Sequence, residues 1–363
     1  MKRMVKKYMN KPFLMSISPH LHSGTSVQSV MWNVVGALLP ALIISIYFYG
    51  INALFLTCCG ILGAIFTEAL ILYLRKKPIL IKDGSAVLTG MLVSFNVHAG
   101  VPWWIPFIGS AFAIAIGKHA FGGLGNNIVN PALLGRVFLV LSWPTHMTSN
   151  WVKTSMNSIN GKPIQFDQVT GATPLKIAET LRDPVFIESL GENSSEIINE
   201  IFHHLTDFHA LKNMFWGNIG GCLGEVSAFA LLIGGLYLLF KKIIEWRIPF
   251  FYLLTVFILT YALGGLDGIF SASFKVPLFH ILTGGLMLGA FFMATDLVTS
   301  PVSKNGRIIF AIGCGFLTVI IRLYGGYPEG VSYSILIMNL LVPLIDKYTY
   351  PKPFGYVKPA SQG

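Results

Sequence analysis

Apolar runs of membrane-spanning length recur along nearly all of the 363-residue chain, and they leave its backbone few choices. A helix needs roughly 20 apolar residues to cross a bilayer. No water inside hydrocarbon satisfies an open N–H or C=O, so only helices and closed barrels survive there. The runs are continuous rather than alternating, which excludes the barrel pattern. Charged residues make up 12% of the chain, about half of the ~25% usual for a soluble domain. The expected fold class is an all-α polytopic membrane protein.

Ten segments are predicted, at about 30–50, 53–74, 85–101, 103–120, 130–145, 215–240, 249–265, 277–295, 307–324 and 331–350. The third and fifth are short or broken by Gly and Pro. A polar stretch, 146–212, separates the fifth from the sixth and holds eight of the sixteen acidic residues. It is far longer than an ordinary connection, which marks it as functional. The two blocks of five share an order of features. Leu88-Thr-Gly90 has a counterpart in Leu282-Thr-Gly284, and Lys118 before Gly122-Gly123 has one in Arg322 before Gly325-Gly326. Five is odd, so a second copy would be inserted upside down, and the prediction is two inverted five-helix repeats. The divisions are then an N-terminal segment (1–29), a first repeat (30–145), an extracytoplasmic loop (146–212), a second repeat (213–350) and a tail (351–363).

Basic residues set the orientation. With the N-terminus inside, 18 of the 26 Lys and Arg fall on the cytoplasmic side, Lys118 among them, while the short outer loops hold only Lys275 and Arg322. This asymmetry places both termini in the cytoplasm and the 146–212 loop outside. The net charge of +10 is read as membrane topology, with the lipid bilayer as partner and no nucleic acid. The basic N-terminus lacks the apolar core of a cleaved signal peptide.

Few residues carry chemistry. In the loop, Asp167-Gln-Val-Thr-Gly-Ala-Thr173 offers a hydroxyl that can be esterified to phosphate, and Pro174 keeps the backbone extended at Thr173. Taken alone, such a string also suits an ordinary turn. Glu68 and Arg136 lie within apolar segments, where ionisable groups default to functional roles. Both are ion-path candidates, and Arg136 needs a partner such as Glu68 or a bound ligand. Asn127 and Asn130, three apart, would share one face of a helix and could grip the mixed donor–acceptor edge of a ring. Helix capping around Pro131 is the alternative for both. Glu225 and Asp296 are further intramembrane acids, Asp296 suited to ordering the loop up to Pro301. Cys58, Cys59, Cys222 and Cys314 show no CxxC spacing and suit buried packing, or one iron–sulfur cluster shared with a partner. The histidines make no haem pair. No catalytic acid–base set and no metal site of the chain's own is expected.

Longer strings resemble a known family. They are Ser18-Pro-His-Leu-His22, Asp83-Gly-Ser-Ala-Val-Leu-Thr-Gly90, Lys118-His-Ala-Phe-Gly-Gly-Leu-Gly-Asn-Asn127, Asn130-Pro-Ala-Leu-Leu-Gly-Arg136, Ala294-Thr-Asp-Leu-Val-Thr-Ser-Pro301 and Ile321-Arg-Leu-Tyr-Gly-Gly-Tyr-Pro-Glu-Gly330. Together they resemble the family of membrane proteins that includes the D subunit of Rnf complexes, ion-translocating ferredoxin:NAD oxidoreductases. The same family includes the B subunit of sodium-pumping NADH:quinone reductase. The resemblance implies a redox-driven ion pump in the bacterial cytoplasmic (inner) membrane. The family's flavinylation pattern matches Asp167, Thr170, Gly171, Ala172 and Thr173, which implies FMN joined through its phosphate to Thr173 by a flavin transferase. It also implies a noncovalent riboflavin, for which Asn127 and Asn130 are the local candidates. The implied partners are the A, B, C, E and G subunits of the Rnf complex. The compact N-terminus favours the Rnf branch over the quinone reductase. A passive channel or transporter on the same inverted repeat is the reading from a different class.

Overall fold

The computed structural model describes residues 26–78, 81–148, 173–189, 194–217, 220–264, 274–325 and 329–350. Helices account for their regular structure, and the β-type contact recorded among them is an isolated bridge between His98 and Cys222. In the first half the helices are α1 (Val27–Tyr49), α2 (Ile51–Leu74), α3 (Ser85–Phe95), α4 (Trp104–Phe112) and α5 (Pro131–Ser142). Helix α4 runs on as a π-helical stretch, Ala113–His119. Short helices follow: α6 (Pro144–Thr148), α7 (Pro174–Thr180), α8 (Pro184–Ser189), α9 (Ser194–Thr206) and α10 (Phe208–Trp216). The second half holds α11 (Ala228–Phe240), α12 (Arg247–Leu263), α13 (Lys275–Leu282), α14 (Leu286–Leu288, continued by a π-helical Gly289–Met293), α15 (Lys304–Tyr324) and α16 (Val331–Thr349).

Every predicted segment coincides with a helix, but length divides them. Among the described residues, α1, α2, α15 and α16 are long and apolar enough to cross a membrane. The pair α13 and α14, bent by 68°, makes a fifth if it is one span. Helices α3, α5, α11 and α12 are apolar but shorter. The chain is therefore a multi-pass membrane protein, with four or five spans by this measure among the described residues, a count that does not by itself establish the ten-helix inverted repeat. The stretch expected at 215–240 is also not one helix. Gly217 (φ 116°) ends α10, a loop follows, and α11 begins at Ala228 behind its Ser227 cap. That loop is held by α3's end, with Leu223 N–H donating to Val97 O and Gly224 N–H to Phe95 O (both 2.8 Å).

The packing suits lipid. Ile43, Leu62, Phe66, Ile258 and Phe316 stand exposed along α1, α2, α12 and α15, where water would penalise them. Inside, close backbone approach replaces large side chains. A Cβ on Gly90 would sit 2.6 Å from Gly60 O, so α2 and α3 touch through two glycines. The bundle has two ends. One, the basic end, carries Arg75, Lys76, Lys77, Lys82, Lys241, Lys242 and Lys304. The other, the loop end, gathers Tyr49, whose hydroxyl donates to Gly221 O (3.1 Å), and α10, whose Phe215 O accepts from Ser227 Oγ (3.3 Å).

Candidate functional site

Three buried polar clusters interrupt the apolar interior. The first lies toward the loop end and is built on Arg136. Pro131 opens α5 in the position where a missing N–H costs nothing, and Asn130 caps it. Arg136 therefore projects from the second turn into the protein. Its Nη1 donates to Asn96 Oδ1 (2.6 Å) and lies 3.8 Å from Glu225 Oε1, while its Nη2 is ion-paired with Glu329. Cys222, Glu225 and Glu329 bring a sulfur and two carboxylate oxygens within 4.8 Å of one another, a spacing that could hold a metal ion. The Arg136 guanidinium reaches both carboxylates and supplies the opposing charge there.

The second cluster lies toward the basic end. Glu68 on α2 receives Lys118 Nζ at 2.5 Å. Lys118 also donates to Ser85 Oγ (2.7 Å) at the start of α3, and Ser85 Oγ donates to Asp83 Oδ2 (2.9 Å). His119 Nε2 is 3.8 Å from Glu68 Oε1. Lys118 and His119 close the π-helical stretch, a conformation often found at functional sites.

The third cluster braces the bend between α13 and α14. Thr283 turns extended, and Gly284 (φ 67°) and Gly285 (φ 66°) take the left-handed conformation that glycine alone adopts without cost. The carbonyls freed there need donors. Arg322 supplies them, with Nη1 donating to His280 O (2.6 Å) and Nη2 to Thr283 O and Gly284 O (both 3.0 Å). A cation at a helix C-terminus also meets the negative end of its dipole.

Thr173 lies over this bend. It caps α7 with an extended backbone (ψ 153°), and its Oγ1 accepts from Lys176 N–H at 3.2 Å. The residue is only 7% exposed. Leu175 packs with Ala178, Leu211, Met214 and Phe279, and with Leu282 at the bend. A Cβ added to Gly284 would meet Leu175 Cδ2 at 2.7 Å and Arg322 Nη2 at 2.8 Å, so α7, the bend and Arg322 are in mutual contact. Asp167, Thr170, Gly171 and Ala172 lie outside the described residues.

Several expectations change. Arg136 does not pair with Glu68: Lys118 takes Glu68, and Arg136 takes Glu225 and Glu329. Lys118 is not a headgroup-facing charge and Arg322 is not a loop residue, since both are buried. Asn127 and Asn130 do not share a helix face, because α5 begins only after Asn130. Asn130 is a cap, its Oδ1 accepting from Ala132 and Leu133 N–H (3.0 and 3.4 Å) and its Nδ2 donating to Met293 O (3.1 Å). Asn339, with its amide turned so that Nδ2 donates to Thr299 O, accepts from Asn130 N–H (both 3.1 Å). Asn127 is half-buried, and its Oδ1 has no hydrogen-bond partner among the described residues. Asp296 accepts from Thr299 Oγ1 at 3.0 Å within its own loop. Glu329 is the member of the Arg136 cluster that sequence reasoning misses. Its place in Arg322-Leu-Tyr-Gly-Gly-Tyr-Pro-Glu329, a charge beside a Gly-rich break, is the signal that could find it.

Comparison with known proteins gives this geometry a family context. A family model described as the NQR2, RnfD, RnfE family matches residues 14–355. The chain is 47% identical over 343 residues to the D subunit of the Na(+)-translocating ferredoxin:NAD(+) oxidoreductase complex of Acetobacterium woodii, covering 94% of this chain and 95% of the relative. It is 46% identical over 343 residues to the D subunit of the proton-translocating ferredoxin:NAD(+) oxidoreductase complex of Clostridium ljungdahlii, covering 94% and 96%. Against the D subunit of the ion-translocating oxidoreductase complex of Stutzerimonas stutzeri the identity is 40% over 345 residues, covering 91% and 93%.

Proposed function

The chain belongs to the NQR2, RnfD, RnfE family, and from that membership we propose that it is the D subunit of an ion-translocating ferredoxin:NAD oxidoreductase. The observation that carries this reading is near-full-length identity of 47% and 46% to two relatives, both named as the D subunit of such a complex. One is named for Na⁺ and the other for protons, so the ion pumped follows from this chain's own residues rather than from kinship.

In this reading the protein works with the A, B, C, E and G subunits of the Rnf complex in the bacterial inner membrane, with both termini cytoplasmic and the Thr173 loop outside. It passes electrons through two flavins. FMN is joined by its phosphate to Thr173, where a flavin transferase places it. Two features favour that residue: the hydroxyl lies at the start of α7, where it caps the helix, and the backbone before Pro174 is extended. A noncovalent riboflavin suits Asn127, whose unpartnered buried Oδ1 can accept a ring N–H. Asn130 supports that site by holding α5 to Met293 rather than by offering a free edge. The flavins supply redox chemistry, and the chain supplies position and electrostatics. Lys118 and Arg322, one in each half, each brace the start or bend of a broken helix, a correspondence that supports an inverted duplication.

The test is in-gel flavin fluorescence of the complex produced in a host with the flavin transferase. The band of this chain fluoresces in the wild type and is dark in Thr173→Ala. A dark wild-type band would overturn the covalent flavin, and absence of ferredoxin-driven NAD reduction would overturn the assignment to this complex.

A further inference from the structure

We propose that Glu68 and His119 form the proton-carrying site of this protein at its basic end, and that protonation there opens the Lys118 clamp between helices α2 and α3. The proposal rests on the reading of the chain as an ion-pump subunit and names the ion that this site handles.

The cluster is incompletely satisfied. Glu68 is 3% exposed, and its Oε1 is held by Lys118 Nζ at 2.5 Å, but its Oε2 has no hydrogen-bond partner among the described residues. His119 is also buried, and its Nε2, 3.8 Å from Glu68 Oε1, has none either. Buried polar atoms without partners are rare and need a reason. Two such atoms on neighbouring groups, one a carboxylate oxygen and one an imidazole nitrogen, make a pair between which a proton can pass.

The chemistry selects a proton over a metal ion. The Lys118 ammonium already occupies the position between Glu68 Oε1 and Ser85 Oγ where a hard cation would gather oxygens. What is left is a single oxygen and a nitrogen. Hard cations take several oxygen ligands, and imidazole favours transition metals. A proton needs no more than this pair offers.

The charges around the pair come from three elements. Lys118 is on the same π-helical stretch, Asp83 precedes α3, and Arg75 and Lys77 end α2 and act on His119. Helix α1 and helix α4 before its π-helical stretch bring no acidic or basic side chain. His119 is the last residue of the π-helical stretch, at the side of the pair nearer the basic end. Ala120, Phe121 and Gly122, just beyond it, are exposed at the basic end and give water an approach.

The step balances simply. A hydronium ion from the aqueous side gives its proton to His119 Nε2 and leaves as water; the N–H bond then breaks as an O–H bond forms at Glu68 Oε2. Glu68 loses its negative charge, and Lys118 keeps only its bond to Ser85 Oγ, which Asp83 holds in turn. The tie from α2 to the first residue of α3 then weakens, and loss of the proton restores it. No electrons move in this step, so redox change elsewhere can drive it only by shifting the position of α3 or the local charge.

The test uses the whole complex in proteoliposomes and infrared difference spectroscopy between its oxidised and dithionite-reduced forms. The expected result is a protonated-carboxyl band that shifts in D2O, is lost in Glu68→Gln, and changes its pH midpoint in His119→Gln. In the same vesicles, acidification of the lumen on ferredoxin oxidation is lost in Glu68→Gln, while NAD reduction with the gradient collapsed continues. If Glu68→Gln fails to assemble, Glu68→Gln/Lys118→Met removes both charges together and carries the same measurements. A carboxyl band and lumen acidification unchanged from wild type in the assembled variants overturn the proposal. So does lumen acidification lost only together with uncoupled NAD reduction. A wild-type complex without ferredoxin-driven NAD reduction would instead refute the function on which the site rests.

Discussion

Replacing Arg322 by methionine removes three hydrogen bonds at once and leaves the bend between α13 and α14 without its donor. The bonds run to His280 O at 2.6 Å and to Thr283 O and Gly284 O at 3.0 Å, all from a buried guanidinium. A hydrogen bond to a charged group is worth about 1.5–3 kcal/mol net. Three at the lower end give about 4–5 kcal/mol, a loss that only a few kinds of mutation reach. Lysine keeps the charge at the α13 terminus but is a single point donor rather than a planar fork. Arg322→Lys should therefore lose about half as much. The assay is thermal unfolding of the purified complex in detergent at one fixed scan rate, followed by tryptophan fluorescence. At roughly 2 °C per kcal/mol for a chain of this size, Arg322→Met should unfold roughly 10 °C below wild type and Arg322→Lys roughly 5 °C below. Because membrane proteins unfold irreversibly, half-lives at one temperature should rank the same way. A methionine variant within about 2 °C of wild type would refute the reasoning. A lysine variant as damaged as the methionine one would show that geometry alone, without charge, holds the bend.

Three other outcomes follow from the same packing. Gly90→Ala drives a Cβ to 2.6 Å from Gly60 O, where only backbone can yield. It should cost about 1–3 kcal/mol in detergent unfolding, against almost nothing for Gly36→Ala, whose Cβ meets no atom within 4 Å. Lys118→Met strands the Glu68 charge and should cost about 3–5 kcal/mol, whereas Glu68→Gln/Lys118→Met should recover most of that, as a double-mutant cycle will show. Thr173→Ser should keep both the α7 cap and the fluorescent band. Thr173→Ala should lose the band and about 1 kcal/mol of local stability, read as faster amide exchange over 174–180.

Local features of the fold are legible because they depend on local chemistry. Pro131 and Pro174 mark helix starts, and each sits one residue after a capping side chain, Asn130 and Thr173. Hydropathy locates every helix of the bundle, but it does not tell a crossing from a partial one. Helix α3 ends at Phe95, and the carbonyls of Phe95 and of Val97 just beyond it are taken by Gly224 and Leu223, residues far along the chain. The buried ion pairs are hidden for the same reason. A lysine beside a histidine at the end of an apolar run is the usual sign of a headgroup contact. That Lys118 turns inward depends on Glu68 lying 50 positions earlier, across the contact between α2 and the π-helical stretch. Arg136 declares in sequence its need for a partner, but its carboxylates, Glu225 and Glu329, come from the other half of the chain. The pairing of Asn127 with Asn130 fails on a boundary: a spacing of three means one face only inside a helix, and Asn130 is where the helix begins.

The seat of α7 on the bend fixes an order of events during synthesis. Leu175 is enclosed by Phe279 and Leu282, which the ribosome adds about a hundred residues after Thr173. Until α13 has been made and inserted, α7 and its cap Thr173 cannot take their place on the bend. Once it has, that residue is almost wholly shielded. Any enzyme that modifies Thr173 thus has a window that narrows when α13 docks. A chain that docks first would have to lift α7 off the bend before it could be completed.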